Sequence, residues 1–442
     1  IRELGCKGGV ILTASHNPKE YYGYKAYWDD GSQLVPPHDK NVINEVKKVL
    51  VTDIKFEQAP GMITILGKEF DKKYLDKVKT LSLSPEAIKK EHDLKIVFTP
   101  LHGTTYELVP ESLRNWGFTN IYPVPEQSIP DGDFPTVASA NPEEPAAFKM
   151  ALDLARKIDA DLAMACDPDG DRIGIAVKND EGIWTLLNGN QTNIIFTEYI
   201  IRRKKELGQL TGGEYTVKTI VTSELIKEIA EKNNIICYDV YTGFKWIADV
   251  IRKEGGEKFI GGGEESFGYM PGAFTRDKDG VSATSLMAEI AAWTKMQHKT
   301  LYSFLKEIYA KYGFSQEKMI YIVRKGITGA QEIKAMMEEF RHNTPKEING
   351  SQVILKKDYL TLESTDFRTG EKTHLNFETT SDVLQFFLAD GSKISVRPSG
   401  TEPKIKFYFE ARAQMKDSND YERAQQEANA RIDDIIKDLK IQ

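Results

Sequence analysis

The sequence has few cysteines, no long apolar run and little net charge, and each absence excludes a class of protein. Its three cysteines lie far apart and form no Cys-x-x-Cys pair, which excludes a small disulfide-stapled scaffold and indicates a reducing, cytoplasmic compartment. No segment approaches the roughly 18 consecutive apolar residues that a membrane span needs, so we expect no membrane partner. A net charge of −7 argues against nucleic acid as the main partner. An anionic ligand must therefore be held by local positive charge.

The length and composition are those of a multi-domain globular protein. With 442 residues, of which 40% are hydrophobic and 28% charged, the chain has room for about three or four domains of ordinary size. It opens on Ile1-Arg2-Glu3-Leu4-Gly5, a pattern typical of the last turn of a helix that a glycine closes. We therefore expect a first domain that is incomplete at its N-terminus.

A serine loop follows almost at once. The apolar run at residues 8–12 leads into Thr13-Ala14-Ser15-His16-Asn17-Pro18, which predicts a buried strand followed by an exposed loop. Ser15 would lie at the apex beside His16, whose imidazole can accept or donate a proton near neutral pH. A nucleophilic hydroxyl is usually presented in this way. A helix cap or an Asx turn without chemistry is the alternative for such a stretch.

A hairpin is predicted next to this loop. Residues 24–28 and 32–35 flank the turn signal Asp29-Asp30-Gly31. Lys25 should therefore lie on a strand, only about ten residues from Ser15.

Apolar periodicity then predicts strands and helices in alternation, the pattern of α/β units. A break at Ser84-Pro85 places the first domain boundary, and Asn188-Gly189-Asn190-Gln191 opens a helix that starts another domain near residue 189. The predicted elements up to there are helices that start at 37, cover 70–81, end near 116–117 and cover 146–157, and strands at 94–98, 121–124, 162–166 and 173–177.

An acidic loop joins two of these strands. In Asp167-Pro168-Asp169-Gly170-Asp171-Arg172, three carboxylates at alternate positions can converge on one hard cation. They would repel one another unless a cation or Arg172 offset their charge. An EF-hand fits badly, because the glycine is fourth rather than sixth and Lys178 stands where the closing glutamate belongs. A solvated acidic turn is the alternative to a metal loop.

Three predicted strands in the next segment end in polar loops, which is the edge where α/β domains bind ligands. One of these loops contains Thr242 and Gly243, and another is Gly261-Gly262-Gly263-Glu264. Glu264 and Ser266 supply acceptors and donors suited to sugar hydroxyls. A flexible glycine turn is the alternative.

From Gly313 the pattern changes to that of a smaller α+β domain. Its loop Arg397-Pro398-Ser399-Gly400-Thr401-Glu402-Pro403-Lys404 offers two cations, two hydroxyls and glycine-exposed amides, the donors that a phosphate dianion requires. A solvated basic turn is the alternative. The predicted elements are strands at 318–323, 382–387 and 393–396, and helices at 331–340 and 421–439.

The chain resembles the α-D-phosphohexomutase superfamily, and within it the phosphoglucomutases. The Ser15 loop, the acidic loop, the sugar-reading loop Gly263-Glu264-Glu265-Ser266-Phe267-Gly268 and the Arg397 loop match family motifs in family order over nearly the whole chain. The resemblance implies an α/β fold of three similar mixed-sheet domains, the first incomplete at its N-terminus, plus a C-terminal α+β domain. The implied domains are a phosphoserine-loop domain at 1–83, a metal-binding-loop domain at 84–188, a sugar-recognition domain at 189–312 and a phosphate-binding domain at 313–442.

The resemblance also implies an enzyme, an isomerase that interconverts glucose 1-phosphate and glucose 6-phosphate. Its reaction would proceed through a phosphoserine at Ser15 and a glucose 1,6-bisphosphate intermediate, which also acts as activator. One Mg²⁺ per chain would be held by Asp167, Asp169, Asp171 and an oxygen of Ser15. The implied catalytic residues are Ser15, His16, Lys25, Arg172 and Lys278, of which His16, Lys25 and Lys278 are candidates for proton transfer and charge offset. The implied substrate-binding residues are Thr242, Gly243, Glu264, Ser266, Arg397, Ser399, Gly400, Thr401 and Lys404.

Several alternatives stay open. Phosphopentomutase or phosphomannomutase activity would use the same parts, although Glu264-Glu265-Ser266 favours glucose over mannose, and a non-catalytic sugar-phosphate-binding homologue is a further possibility. Some mutases of the superfamily carry a histidine beside the sugar-reading loop, whereas residues 269–275 contain none. Either Lys278 takes that role or the contact is absent. The expected partners are small-molecule sugar phosphates, with the chain a monomer or a weak homo-oligomer.

Overall fold

The computed structural model describes residues 1–57, 61–324, 326–399 and 403–441. The chain divides into two compact units, one made of Ile1–Thr222 and Ile226–Leu305, the other of Ser223–Leu225 and the chain from Lys306 onward. Within the described ranges, no helix has both the length and the apolar character needed to cross a membrane.

The segment before residue 84 contains a two-stranded sheet and two helices, with bounds β1 (Gly8–Leu12), β2 (Tyr24–Trp28), α1 (His38–Val46) and α2 (Lys68–Lys79). β1 pairs antiparallel with β2, and Ile11 lies opposite Lys25, so the predicted placement of Lys25 on a strand is confirmed. The predicted strand at 32–35 is reduced to a bridge between Tyr27 and Gln33. The expectation that β1 is buried is wrong. Val10 is 52% exposed and Ile11 44%, because β1 pairs with β2 alone among the described residues.

The next segment forms a five-stranded mixed sheet with helices. Its elements are α3 (Pro85–Lys90), β3 (Ile96–Thr99), α4 (Leu108–Trp116), β4 (Ile121–Pro123), α5 (Lys149–Ile158), β5 (Leu162–Cys166), β6 (Ile173–Lys178) and β7 (Trp184–Leu187). The strand order is β4-β3-β5-β6-β7, with parallel pairing from β4 to β5 and antiparallel pairing from β5 to β7. β3 and β5 are buried along their whole length, as parallel strands covered on both faces are. β5 ends at Cys166, which places the acidic loop at its carboxyl end.

A second mixed sheet follows, with helices between and after its strands. The elements of this segment are α6 (Gly189–Glu206), β8 (Tyr215–Thr219), α7 (Glu224–Lys232), β9 (Ile236–Val240), α8 (Phe244–Glu254), β10 (Phe259–Gly263), β11 (Tyr269–Met270), α9 (Gly280–Met296) and α10 (Leu301–Tyr312). The strand order is β11-β10-β8-β9, and only β11 runs antiparallel to its neighbour. The predicted helix start near residue 189 is confirmed. Asn188 accepts a hydrogen bond from the Gln191 backbone, and the Gln191 side chain accepts one from the Asn188 backbone, which is a capping box.

The second unit contains an antiparallel sheet with two helices packed on it. Its elements are β12 (Phe314–Val323), α11 (Gly326–His342), β13 (Glu347–Ile348), β14 (Ser351–Asp358), β15 (Glu363–Asp366), β16 (Lys372–His374), β17 (Leu384–Leu388), β18 (Lys393–Pro398), β19 (Lys404–Ala413) and α12 (Tyr421–Asp438). The strand order is β12-β19-β18-β17-β14-β15-β16, and β13 pairs with β14. Together with the two mixed sheets, this arrangement confirms the predicted α/β fold with a C-terminal α+β domain.

Candidate active site

The loop between β1 and β2 holds Ser15 in a constrained backbone conformation. The Ser15 N–H donates to Oγ1 of Thr13 over 2.8 Å, and the Thr13 N–H donates to the Gly23 carbonyl over 3.1 Å. A Cβ atom on Gly23 would lie 1.9 Å from the Thr13 carbonyl oxygen, so only glycine fits there. Ser15 itself has a φ of 53°, a left-handed conformation that costs about 1–2 kcal/mol for a residue with a side chain. The loop thus fixes the direction of the serine hydroxyl.

That hydroxyl contacts the acidic loop. Oγ of Ser15 donates to Oδ2 of Asp167 over 2.7 Å. Oγ1 of Thr13 donates to Oδ2 of Asp169 over 3.1 Å. The structure therefore brings the predicted nucleophile and the predicted metal loop together.

The His16 ring lies beside the same hydroxyl. Its Nδ1 atom is 3.1 Å from Oγ of Ser15 and 4.0 Å from Oδ2 of Asp167. Burial lowers the pKa of His16 to about 4, and the positive charge of Arg172 acts in the same direction. The imidazole is therefore neutral near pH 7 and can accept a proton.

The three carboxylates of the acidic loop converge. One oxygen from each of Asp167, Asp169 and Asp171 lies within 4.8 Å of the others. Oδ1 of Asp167 accepts the backbone N–H groups of Asp171 and Arg172 over 3.1 and 2.9 Å, which folds the loop around this side chain. Burial raises the pKa of Asp167, and the charges of Asp171 and Asp169 raise it further.

This donor set fits a hard divalent cation. Oδ1 of Asp169 and Oδ1 of Asp171 are buried, and neither has a hydrogen-bond partner among the residues that the structure describes. Buried carboxylate oxygens without partners are costly unless a cation meets them. The acidic loop can therefore bind a metal ion through Asp167, Asp169 and Asp171.

Two lysines contact the carboxylates from other segments. Nζ of Lys25 is 3.4 Å from Oδ2 of Asp171 and 3.6 Å from Oδ2 of Asp169. Nζ of Lys278 is 3.0 Å from Oδ2 of Asp171 and lies 5.1 Å from the centroid of the Phe244 ring. Both predicted lysines thus reach the site, where they offset part of its negative charge.

Arg172 connects the acidic loop to the sugar-reading loop. Its guanidinium hydrogen-bonds to Glu143, and Nε is 3.9 Å from Oδ2 of Asp167. Its backbone forms a bridge with Gly268, and the Ile173 N–H donates to the Phe267 carbonyl over 3.0 Å. The structure therefore places Arg172 at the junction of the two loops.

Glu264 is buried between neighbouring loops. Its Oε1 atom accepts the Gly243 N–H over 2.6 Å, and its carbonyl accepts from Nδ2 of Asn193 over 2.8 Å. Burial raises the pKa of Glu264, while the Lys278 charge acts against that shift. Glu264 and Gly243, both predicted to bind substrate, thus contact each other.

Two other predicted sugar-binding residues, Ser266 and Thr242, are only partly exposed. They lie in the same two loops as Glu264 and Gly243. The four predicted residues are therefore clustered at the carboxyl ends of β9 and β10.

The described residues that flank the predicted phosphate loop lie at the ends of two neighbouring strands of the antiparallel sheet. Arg397 is on β18 opposite Lys406, and Lys404 begins β19. The Ser399 N–H donates to the Lys404 carbonyl over 2.7 Å, and Nζ of Lys404 is 3.9 Å from the centroid of the Tyr321 ring. Gly400 and Thr401 lie outside the described residues.

Sequence reasoning missed several residues that shape the site. Thr13 supports both Ser15 and Asp169, Glu143 pairs with Arg172, and Asn193 holds the Glu264 carbonyl. Thr13 stood inside the quoted motif and could have been singled out for its hydroxyl. No sequence motif around Glu143 or Asn193 indicates a role in the site, because the partner of each residue is distant in the sequence.

A serine hydroxyl beside three carboxylates and two lysines, on an α/β scaffold with several domains, is the arrangement of an enzyme that transfers phosphoryl groups.

Comparison of the chain with known proteins points to the same class. The phosphoglucomutase/phosphomannomutase alpha/beta/alpha domain I matches residues 1–51, domain II residues 72–182, domain III residues 188–312, and the C-terminal domain residues 332–434. A phosphoglucomutase of Staphylococcus aureus is 36% identical over 438 residues, 98% of this chain and 76% of the relative. The chain belongs to the phosphoglucomutase/phosphomannomutase family.

Two solved structures share the fold. Exocytosis-sensitive phosphoprotein pp63/parafusin, a phosphoglucomutase of Paramecium solved in an open form, has a TM-score of 0.68 at 18% identity, covering 100% of this chain and 79% of that one. N-acetylphosphoglucosamine mutase of Aspergillus fumigatus, in complex with GlcNAc-6P and magnesium, has a TM-score of 0.53 at 15% identity, covering 98% and 90%. The predicted activity class is confirmed: the chain is a phosphohexomutase, an isomerase that moves a phosphoryl group within its substrate.

Proposed function

We propose that Ser15 is the phosphoryl carrier in the interconversion of glucose 1-phosphate and glucose 6-phosphate. The observation that carries the proposal is the 2.7 Å contact between Oγ of Ser15 and Oδ2 of Asp167. A nucleophilic oxygen is thereby held against a candidate metal site and two lysines, the parts that phosphoryl transfer requires.

We assign the acidic loop to one Mg²⁺, held by Asp167, Asp169, Asp171 and an oxygen of Ser15. When bound, the ion would offset the negative charge of the transferring group. Oδ1 of Asp169 and Oδ1 of Asp171, which are buried and accept no hydrogen bond from the described part of the chain, support this assignment. So does the family neighbour in complex with GlcNAc-6P and magnesium.

The reaction would then take place in two half-reactions. In the first, the bond between Oγ of phosphorylated Ser15 and phosphorus breaks, and a bond forms between that phosphorus and the 6-hydroxyl oxygen of glucose 1-phosphate. The hydroxyl proton passes to a base of the site, and Oγ of Ser15, the leaving group, takes up a proton in return. The resulting glucose 1,6-bisphosphate turns over, and the same steps in reverse at O1 return the phosphoryl group to Ser15. Glucose 1,6-bisphosphate added from outside would act as activator, because it phosphorylates an empty serine.

The basic residues around Ser15 have separate tasks in this scheme. His16 is within hydrogen-bond distance of Oγ of Ser15, at 3.1 Å, and would accept the proton that this hydroxyl donates to Asp167 in the structure when the serine is rephosphorylated. Lys25 and Lys278, both near Asp171, offset charge on the transferring group. Arg172 holds the acidic loop against the sugar-reading loop.

The sugar and its distal phosphate would be bound by two further sets of residues. Thr242, Gly243, Glu264 and Ser266 supply donors and acceptors for hydroxyl groups of the sugar. Arg397, Ser399, Gly400, Thr401 and Lys404 would bind whichever phosphate is not reacting. Small-molecule sugar phosphates are accordingly the proposed partners.

Labelled glucose 1,6-bisphosphate tests the proposal directly. The wild-type protein should take up label at Ser15 and pass it to glucose 1-phosphate, whereas Ser15→Ala should do neither. Label on Ser15→Ala would refute the carrier role, and uptake without transfer would indicate a non-catalytic homologue. Assays of ribose 1-phosphate and mannose 1-phosphate beside glucose 1-phosphate separate the remaining alternatives. Ribose 1-phosphate tests pentose against hexose preference, and mannose 1-phosphate tests mannose against glucose. A higher kcat/KM for either would overturn the glucose assignment.

A further inference from the structure

A chain of three contacts leads from Tyr27 to the acidic loop. The Tyr27 hydroxyl donates to Oδ2 of Asp277 over 2.7 Å. Oδ1 of Asp277 accepts the Lys278 backbone N–H over 2.9 Å and lies 3.4 Å from Nζ of Lys278. Nζ of Lys278 in turn lies 3.0 Å from Oδ2 of Asp171. Tyr27 therefore acts on Asp277, and Asp277 faces the lysine that contacts the acidic loop.

Tyr27 belongs to the strand that carries the other lysine of the site. Lys25 and Tyr27 are two residues apart on β2, so their side chains project from the same face of the strand. Nζ of Lys25 reaches Oδ2 of Asp171 directly, whereas Tyr27 reaches the same carboxylate through Asp277 and Lys278. The same strand thus carries Lys25 and the tyrosine whose partner, Asp277, faces Lys278.

The Lys278 ammonium lies between two competing carboxylates. It is closer to Asp171, at 3.0 Å, than to Asp277, at 3.4 Å. Its stem is confined, because a Cβ atom on Gly268 would lie 2.2 Å from Cδ of Lys278, but confinement of the stem does not select one carboxylate. The Tyr27 hydroxyl engages Oδ2 of Asp277, and it is Oδ1 of Asp277 that lies 3.4 Å from the ammonium.

The Tyr27 hydroxyl remains a hydrogen-bond donor to Asp277 at every pH at which the enzyme would be assayed. Its side chain is buried, with 5% of the residue exposed. Burial and the charge of Asp277 raise the pKa of the Tyr27 phenol far above neutral pH. The hydroxyl therefore stays protonated wherever the enzyme can be assayed.

We infer that Tyr27 is a positioning residue for phosphoryl transfer, which acts through Asp277 to keep the Lys278 ammonium on Asp171. The inference rests on the charge-offsetting role of Lys278 in the proposed function. Without the Tyr27 hydroxyl, the Asp277 carboxylate can rotate and capture the ammonium in a closer pair. The charge would then be withdrawn from the transferring group, while the sugar would still bind.

Tyr27→Phe tests this inference. A hydrogen bond to a charged group is strong enough to change a rate constant by roughly 10- to 100-fold. We expect kcat for glucose 1-phosphate to fall by about that factor, with KM changed less than about 3-fold. A merely structural role would lower stability without this division between kcat and KM.

Tyr74→Phe is the matched control. The Tyr74 hydroxyl donates to Oδ1 of Asp279 over 2.7 Å, the same kind of bond on the other side of Lys278. Asp279 caps α9 by accepting the Ser282 N–H over 3.0 Å. Tyr74→Phe should therefore lower the melting temperature as Tyr27→Phe does, but leave kcat close to the wild-type value.

Two more variants separate the possible outcomes. In Asp277→Asn, kcat should stay close to the wild-type value, because an amide carries no charge with which to capture the Lys278 ammonium, and adding Tyr27→Phe should then change kcat little. Asp277→Asn also carries the test if Tyr27→Phe folds poorly, and a kcat reduced there by roughly 10-fold or more would overturn the inference. If Lys278→Ala loses activity while Tyr27→Phe keeps full kcat, the inference fails and the proposed function stands. If Lys278→Ala keeps full activity, the proposed role of Lys278 fails and the inference fails with it.

Discussion

Oγ of Ser15 lies 2.7 Å from Oδ2 of Asp167, although 152 positions separate the two residues in the chain. The contact depends on the packing of the β1–β2 hairpin against the loop after β5, since neither segment forms the site alone. Asp167 is also fully buried, so its carboxylate is shielded from water and its interactions are strong.

Asp167→Asn should weaken metal binding far more than it weakens folding. The amide oxygen can still accept the two backbone N–H groups that order the loop, but one negative charge is lost from the donor set. We expect the Kd for Mg²⁺, measured by calorimetry, to rise by roughly 10- to 100-fold. Asp153→Asn, on the exposed surface of α5, should leave it unchanged. An unaltered Kd in Asp167→Asn would place the metal elsewhere.

Much of the fold was predictable because its signals are local. The run at 162–166 matches β5 residue for residue, since a continuous apolar stretch is what a strand buried on both faces requires. The same kind of run at Gly8–Leu12 was correctly predicted as a strand but wrongly as buried. Apolar side chains make burial of a segment favourable, but whether the segment is buried depends on which other elements pack on it.

The site was predictable as a set of motifs, but their contacts were not. Periodicity and spacing describe neighbours in sequence, whereas Tyr27 and Asp277 meet across 250 positions. Nothing in residues 24–28 distinguishes a tyrosine that orients an aspartate from one that only fills space. The grouping of the motifs into one site came from the family resemblance, and the supporting residues came from the structure.

Lys25→Met should affect metal binding and catalysis in opposite directions. Lys25 pairs with Asp169 and Asp171 and would compete with a metal ion for them, so its removal should raise Mg²⁺ affinity by roughly 2- to 10-fold. The same change removes a cation from the transferring group, so kcat should fall by roughly 10-fold or more. Calorimetry and steady-state kinetics on one preparation measure both. Lys89→Met, exposed on α3, is the control, and a parallel loss of both quantities would contradict this account.

Glu317→Gln should stabilise the second unit at high pH. Glu317 lies directly opposite Glu410 in the β12–β19 pair, and its Oε2 atom is buried without a hydrogen-bond partner among the described residues. Burial raises the pKa of Glu317 to about 7 from an ordinary 4.5, and Glu410 acts in the same direction. The folded protein therefore binds a proton that the unfolded chain has released, so stability falls as the pH rises from 4.5 to 7.

The glutamine cannot ionise and should remove this loss. We expect a gain of roughly 1–3 kcal/mol at pH 8 and almost none near pH 4.5, measured by urea unfolding with hydrogen exchange of β12 as the probe. Glu371→Gln, on an exposed turn, should show no such pH dependence. A gain of equal size at both pH values would mean that the effect is one of packing rather than of charge.

Arg397→Ala should weaken binding of glucose 1-phosphate and glucose 6-phosphate alike. Arg397 lies near the end of β18, close in the chain to Ser399 and opposite Lys406 of β19, and a guanidinium can bind a phosphate bidentately in either orientation of the sugar. One loop must hold the distal phosphate in both half-reactions, in the ground state as in the transition state. The loss should therefore raise KM more than it lowers kcat.

A charge-assisted pair of this kind contributes about 1.5–3 kcal/mol, which corresponds to a rise in KM of roughly 10- to 150-fold for each substrate. Steady-state kinetics in both directions measure this rise. Arg368→Ala is the control, because that arginine is exposed and pairs with Asp366 on a hairpin of the same unit. If KM rose for only one of the two hexose phosphates, a shared distal-phosphate site would have to be abandoned, and Arg397 would belong to a single half-reaction.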